Sequence, residues 1–249
     1  MIIQIYEIQT PEEAIALLRM GVQHIGSVAL STLNERDTML YQTIRLVQKY
    51  GAKSSLIPLF SETDRIFQLI EDYSPDIIHF CENILVFEKI DSIISFQKEI
   101  KQKFPKIQIQ RAIPIPPSGK GNVQKILQLA KELEEVSDYF LTDTVLEQNE
   151  NSGLMNTQTV SGFVGITGQV CDWEIALALV QQSKIPVIVA GGLSPQNVKT
   201  AIEKIRPAGV DSCSATNRLD SAGMPIRFQK NMSKVAEFIK NVRSVEIGM

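Results

Sequence analysis

Asp143 closes an apolar run, in Leu141-Thr142-Asp143-Thr144. A carboxylate at a strand end is suited to general acid or base work, although an aspartate there also caps or turns a chain. A second feature is Gly191-Gly192, between the apolar run Pro186–Ala190 and Ser194-Pro195. The run reads as a buried parallel strand. Ser194 is a preferred N-cap and Pro195 suits the first helical position, so a helix is predicted from there to Ile205. Backbone N–H groups in such a strand–Gly-Gly–helix turn can face an anion, and without a Cβ a phosphate can come close. A plain structural turn would use the same residues. Gly168, and Ser214 and Ala215 after the short strand begun by Val210-Asp211, would complete a phosphate-sized cradle. His79 and Cys81 alternate onto one face of a further strand end. They are either packing residues or pocket-lining groups, and a thiol is a more available base than a phenol. Two such side chains are too few for a metal site.

The elements that would carry these residues alternate along the whole chain. Strands are predicted at 2–8, 22–28, 53–60, 76–80, 107–113, 139–142 and 186–190, with the last beginning at Val210. Helices are predicted at 10–20, 37–50, 62–73, 84–104, 121–133, 170–182, from Ser194 to Ile205, and at 227–242. Thr10-Pro11-Glu12-Glu13 is a capping box. Eight βα units in 249 residues predict a single α/β domain over residues 1–249, a closed (β/α)8 TIM barrel with its site at the C-terminal strand ends. A doubly wound open sheet is the second choice, but Glu7-Ile8-Gln9-Thr10 is not its glycine-rich fingerprint. The stretch 143–164 is long for a βα connection and is expected to be a mobile lid beside Asp143.

Composition limits the function. A net charge of −3 offers no basic field for nucleic acid. Three scattered cysteines, Cys81, Cys171 and Cys213, argue against a disulfide framework and fit a reducing cytosol. No apolar run reaches membrane-spanning length, and no signal peptide precedes the first strand. The expectation is a cytoplasmic protein, monomer or homodimer, with no membrane or nucleic-acid partner, no cofactor and no metal.

The chain resembles the phosphoribosylanthranilate isomerase family, barrel enzymes of tryptophan biosynthesis. Gly165–Trp173 is similar to the family's GGTGxTFDW, Ala190–Val198 to AGGLxPxNV, Arg206–Asp211 to RPxGVD, and Leu141–Asp143 to LLD. The resemblance implies an Amadori rearrangement of an N-(5-phosphoribosyl) aminoaldose to an aminoketose, with Asp143 as the acid that opens the ring. The family's base, a cysteine in KICG, corresponds to Tyr6 in Gln4-Ile5-Tyr6-Glu7. Free tyrosine ionises near pH 10, about 4 kcal/mol from availability at pH 7. Glu7 is the next candidate, though alternation turns it outward unless a bulge re-aims it. Cys81 is a displaced alternative, and His79 and Arg36 are candidates for substrate contact. Arg36 lies near the family arginine that meets the anthranilate carboxylate. Ala215 replaces a family glycine in the phosphate loop.

Two functions follow. One is isomerisation of phosphoribosylanthranilate or a related N-(5-phosphoribosyl) amine. The other is a non-catalytic barrel that binds a small phosphorylated sugar derivative or a partner protein.

Overall fold

The computed structural model describes residues 1–30, 36–87, 90–146 and 162–246. Eight parallel strands close into a barrel in chain order: β1 (Ile2–Ile5), β2 (His24–Ala29), β3 (Lys53–Pro58), β4 (Ile77–Phe80), β5 (Gln108–Ile115), β6 (Tyr139–Thr144), β7 (Val187–Val189) and β8 (Gly209–Ser212). The ring closes through β1 and β8, with Gln4 opposite Asp211 and Ile5 opposite Ser212. The open-sheet alternative is thereby excluded. Helices α1 (Pro11–Arg19), α2 (Thr38–Lys49), α3 (Thr63–Tyr73), α4 (Asp91–Lys103), α5 (Val123–Leu133), α6 (Trp173–Gln182), α7 (Val198–Ile205) and α8 (Met232–Glu246) surround it.

Local chemistry explains the element ends. The Thr10 hydroxyl accepts from the Glu13 N–H at α1, and the Asp37 carboxylate accepts from two N–H groups at α2. Alternation along the strands divides the side chains. Ile3, Ile5, Ile25, Phe140, Val187, Val189 and Val210 face outward into a continuous core shared with the helices. A second outer core gathers Leu56, Ile78, Phe80 and Ile109 with α2 and α3.

Three helix predictions need correction. Ile84–Phe104 is not one helix: a 3-10 turn at Ile84–Val86, capped by the Asn83 side chain, precedes α4. Ser194 is not an N-cap. Its N–H instead donates to Asn197 Oδ1, the Asn197 amide holds the Gly192 carbonyl, and α7 starts only at Val198. Arg227 does not open the last helix. Residues 217–230 form an antiparallel hairpin, β9 (Asn217–Leu219) and β10 (Pro225–Lys230), and α8 follows it. Most of the predicted lid, residues 147–161, lies outside the described residues.

Candidate active site

The strand ends enclose a pocket of about 800 Å³ including its open mouth. Tyr6, Glu7, His79, Cys81, Asp143, Gly168, Gly191, Gly192, Ser214 and Ala215 all line it, and so does Asp211. Arg36 does not. It is exposed and its guanidinium stacks on Tyr41, 4.2 Å from the ring centroid. The structure therefore brings together every predicted site residue except Arg36.

Tyr6 forms part of the floor. Its hydroxyl lies 2.6 Å from Ser55 Oγ and 2.7 Å from His79 Nδ1, and it accepts a bond from Gln110 Nε2. These partners come from β3, β4 and β5, so the phenol reaches across the barrel interior. The ring lies against Gly26, where any Cβ would collide with it. Burial, with help from Asp211, Cys81 and Cys213, pushes the phenol well above its usual value despite the Ser55 hydrogen bond. Burial, then Glu82 and Asp143, push the Cys81 thiol up as well. Both are thereby held in the neutral form at neutral pH. Burial and the Arg111 charge lower His79 to about 3, leaving a neutral imidazole.

Glu7 is re-aimed, against simple alternation. Its φ of +65° is left-handed, an uncommon conformation for a residue with a Cβ. The turn delivers the carboxylate to β9 and β10. Arg227 Nε donates to Oε1 at 2.7 Å, and Asn217 Nδ2 donates to Oε2 at 2.9 Å. Burial raises its pKa, but Asn217, Lys230 and Arg227 outweigh that and hold the net value below the usual range. Glu7 is an ionised carboxylate with both oxygens engaged, by Arg227 and by Asn217.

Asp143 and Asp211 differ. Asp143 extends from β6, with the Thr144 N–H on Oδ1 at 2.8 Å. Gly165, at φ +91°, lies directly over its carboxylate, where a Cβ would strike Oδ2. Burial raises Asp143 to about 7. Asp211 is 5% exposed, and its Oδ1 has no hydrogen-bond partner among the described residues. Burial first, then the charge of Asp143, raise it to about 8, against Gln4 and Lys230. The sequence reading passed over Asp211 as the start of a strand. The signal available was its inward parity with Cys213, the residue that follows β8.

The glycine turns have two aspects. A Cβ on Gly192 would meet the Gln169 and Val170 backbone within 2.6 Å, and one on Gly191 would meet Thr144 Oγ1 at 2.6 Å. Close packing alone therefore demands both glycines. Yet the N–H groups of Gly168, Gly191, Gly192, Ser214 and Ala215 donate no hydrogen bond among the described residues. Gly191 is buried, where an unpaired N–H is uncommon.

The fold and this pocket define a (β/α)8 barrel with buried carboxylates and unpaired main-chain donors at the C-terminal strand ends. The sequence model described as N-(5'phosphoribosyl)anthranilate (PRA) isomerase matches residues 61–241. The chain belongs to that family. N-(5'-phosphoribosyl)anthranilate isomerase 1 of Methanosarcina mazei is 28% identical over 192 residues, 76% of this chain and 71% of the relative. The phosphoribosyl anthranilate isomerase structure from Thermotoga maritima superposes with a TM-score of 0.68 at 18% identity, covering 98% of this chain and 100% of that one. A second structure is of phosphoribosyl anthranilate isomerase in complex with reduced 1-(o-carboxyphenylamino)-1-deoxyribulose 5-phosphate. It gives a TM-score of 0.66 at 17% identity, covering 98% and 100% of the two chains. Among the described residues no helix is long and apolar enough to cross a membrane, and no cluster of three or more His, Cys, Asp or Glu could hold a metal.

Proposed function

We propose that the chain is an aldose–ketose isomerase acting on an N-(5-phosphoribosyl) arylamine, phosphoribosylanthranilate being the first to test. The observation that carries this is one pocket holding both Asp143 and the unpaired N–H groups. The phosphate lies against Gly168, Gly191, Gly192, Ser214 and Ala215. Main-chain donors at left-handed glycines suit a dianion because they bring dipole without bulk. Ala215 keeps its N–H, so replacement of a family glycine there leaves the donor in place. The ribose then extends over the Tyr6 floor toward Asp143.

Asp143 supplies the first proton. A carboxyl raised to about 7 is partly protonated at neutral pH and can protonate the furanose ring oxygen as the C1–O bond opens to the Schiff base. The apolar wall of Val28, Leu59, Phe163 and Val164 receives the aryl group. Substrate of this form is a property of the relatives named above and enters here through family membership.

The test is loss of fluorescence from freshly made phosphoribosylanthranilate, paired with calorimetry on ribose 5-phosphate. Turnover by wild type, and weaker sugar phosphate binding by Gly168→Asp, are expected. Gly168 is the right position because a Cβ there meets nothing within 4 Å, whereas Gly192 would disturb packing. Asp also tolerates the left-handed conformation. Binding without turnover would leave a phosphosugar-binding barrel, and neither would reject the reading.

A further inference from the structure

The lining residues described include three carboxylates, and they differ in what holds them. Glu7 is saturated by Arg227 and Asn217. Asp143 takes one backbone N–H, and Asp211 Oδ1 takes none. A buried carboxylate oxygen without a partner costs stability, and such a group is retained most readily where a substrate completes it. Its position is also specific. Asp211 is in register with Gln4 on β1, and Gln4 lies two residues before Tyr6 on the same inward-facing row. Asp211 therefore enters the pocket beside the strand tip at which the family resemblance placed a cysteine base.

The geometry points to Asp211 as the general base that takes the C2 proton, working with Asp143 as the acid. The base has moved by one strand, from the tip of β1 to β8. This rests on the isomerase reading above. Asp143 gives its proton to the ring oxygen, the C1–O bond breaks, and the nitrogen lone pair forms the C1=N bond of the protonated Schiff base. Asp211 then removes the hydrogen from C2. That electron pair forms C1=C2, and the C=N electrons return to nitrogen. Asp211 gives its proton to C1 as the C2 hydroxyl releases its own to the Asp143 carboxylate. The product is the aminoketose, with both carboxyls restored and no oxidant or reductant used.

Electrostatics suit the pair. The groups facing Asp211 are Gln4 from β1 and Tyr6 just after it, Asp143 from β6, Cys213 just after its own strand, and Lys230 from β10. Tyr6 and Cys213 stay neutral, because burial raises both. Lys230 is tied to the Cys213 carbonyl and Asn217. Burial raises both carboxyls, Asp143 to about 7 and Asp211 to about 8, so the pair shares protons near neutrality, and the reaction uses the form in which Asp143 carries the proton and Asp211 does not.

The experiment measures kcat and KM for wild type, Asp211→Asn, Asp211→Glu and Asp143→Asn on phosphoribosylanthranilate with hydrogen or deuterium at C2. Asp211→Asn is expected to lower kcat by about 100-fold or more while KM and ribose 5-phosphate affinity stay within about threefold. It should also show a primary isotope effect larger than wild type. Asp211→Glu should recover part of the rate. Asp143→Asn should be slow without that isotope effect, because ring opening limits it. If wild type turns over and Asp211→Asn keeps its kcat, the base assignment fails while the isomerase reading stands. A fall in kcat with an unchanged isotope effect and no recovery in Asp211→Glu also overturns it, since a positioning role would give that result. Absence of turnover in wild type overturns both.

Discussion

Two layers of one barrel interior treat buried polar groups in opposite ways. In the floor, the hydroxyls of Tyr6 and Ser55, the His79 ring and the Gln110 amide share one neutral network. In the same pocket, Asp143 and Asp211 are charged when ionised, Asp211 feels the charge of Asp143, and Asp211 Oδ1 has no partner among the described residues. Burial alone does not distinguish the layers. Charge does: the floor is built of neutral groups bonded to one another, with only His79 Nε2 and Gln110 Oε1 left over, whereas Asp143 and Asp211 are carboxylates with no cation bonded to them among the described residues and can exchange a proton with a ligand. Glu7, in the same pocket but fully paired, falls on the structural side of this division.

The sharpest way to break the comparison is Asp143→Asn. It should lower isomerase kcat by about 10²- to 10⁴-fold and leave ribose 5-phosphate affinity nearly unchanged. An equal loss of both would place Asp143 with the scaffold.

Arg227→Ala comes next. It strands the buried Glu7 carboxylate and should cost about 3 kcal/mol in denaturant unfolding. Glu7 has a lowered folded pKa, so its contribution is present above its unfolded value near 4.3 and is lost as pH falls through the folded one. Wild type should lose stability across that acid window, and the variant should lose less.

Tyr6→Phe removes the hydroxyl shared by Ser55, His79 and Gln110. A loss of about 1–3 kcal/mol is expected, with kcat of the folded protein within about threefold. A far larger fall in kcat at full occupancy would move Tyr6 into the chemistry.

The smallest effect is Asp211→Asn on stability. Its folded pKa is raised to about 8, so the acid form is favoured by folding. Wild-type stability should fall as pH climbs from the unfolded value near 3.9 through about 8. The asparagine should raise stability at pH 8 by about 1 kcal/mol or more, about 2–4 °C in Tm, and should give no such gain at pH 4. Thermal scans at the two pH values decide it.

The sequence exposed the barrel because strand and helix periods alternate eight times with capped helices between them. It exposed Asp143 and the glycine turns because each follows an apolar run. It hid Asp211, since a charged residue inside a four-residue strand breaks the apolar pattern and reads as an edge. It also hid the hairpin at 217–230. Ile226 and Phe228 alternate with Arg227 and Gln229 as a strand would, but this short run adjoins the apolar pattern of the last helix and reads as part of it, and pairing to Asn217 and Leu219 is what separates it. The fate of Glu7 followed from that miss, because Arg227 and Asn217 come from the hairpin. Ser194-Pro195 misled for a local reason: the Asn197 side chain takes the Ser194 N–H and forms a turn where a helix start was expected.

The polar interior has a thermal consequence. Gln4, His24, Ser55, His79 and Gln110 occupy buried inward positions where barrels of this type are filled with branched aliphatic residues. Exposing apolar surface raises the heat capacity on unfolding, and exposing polar surface lowers it. Each such position therefore subtracts from the heat-capacity increment of this chain relative to an aliphatic barrel of the same size. Its stability curve against temperature should be correspondingly flatter, with less loss on cooling and a gentler decline toward the melting point.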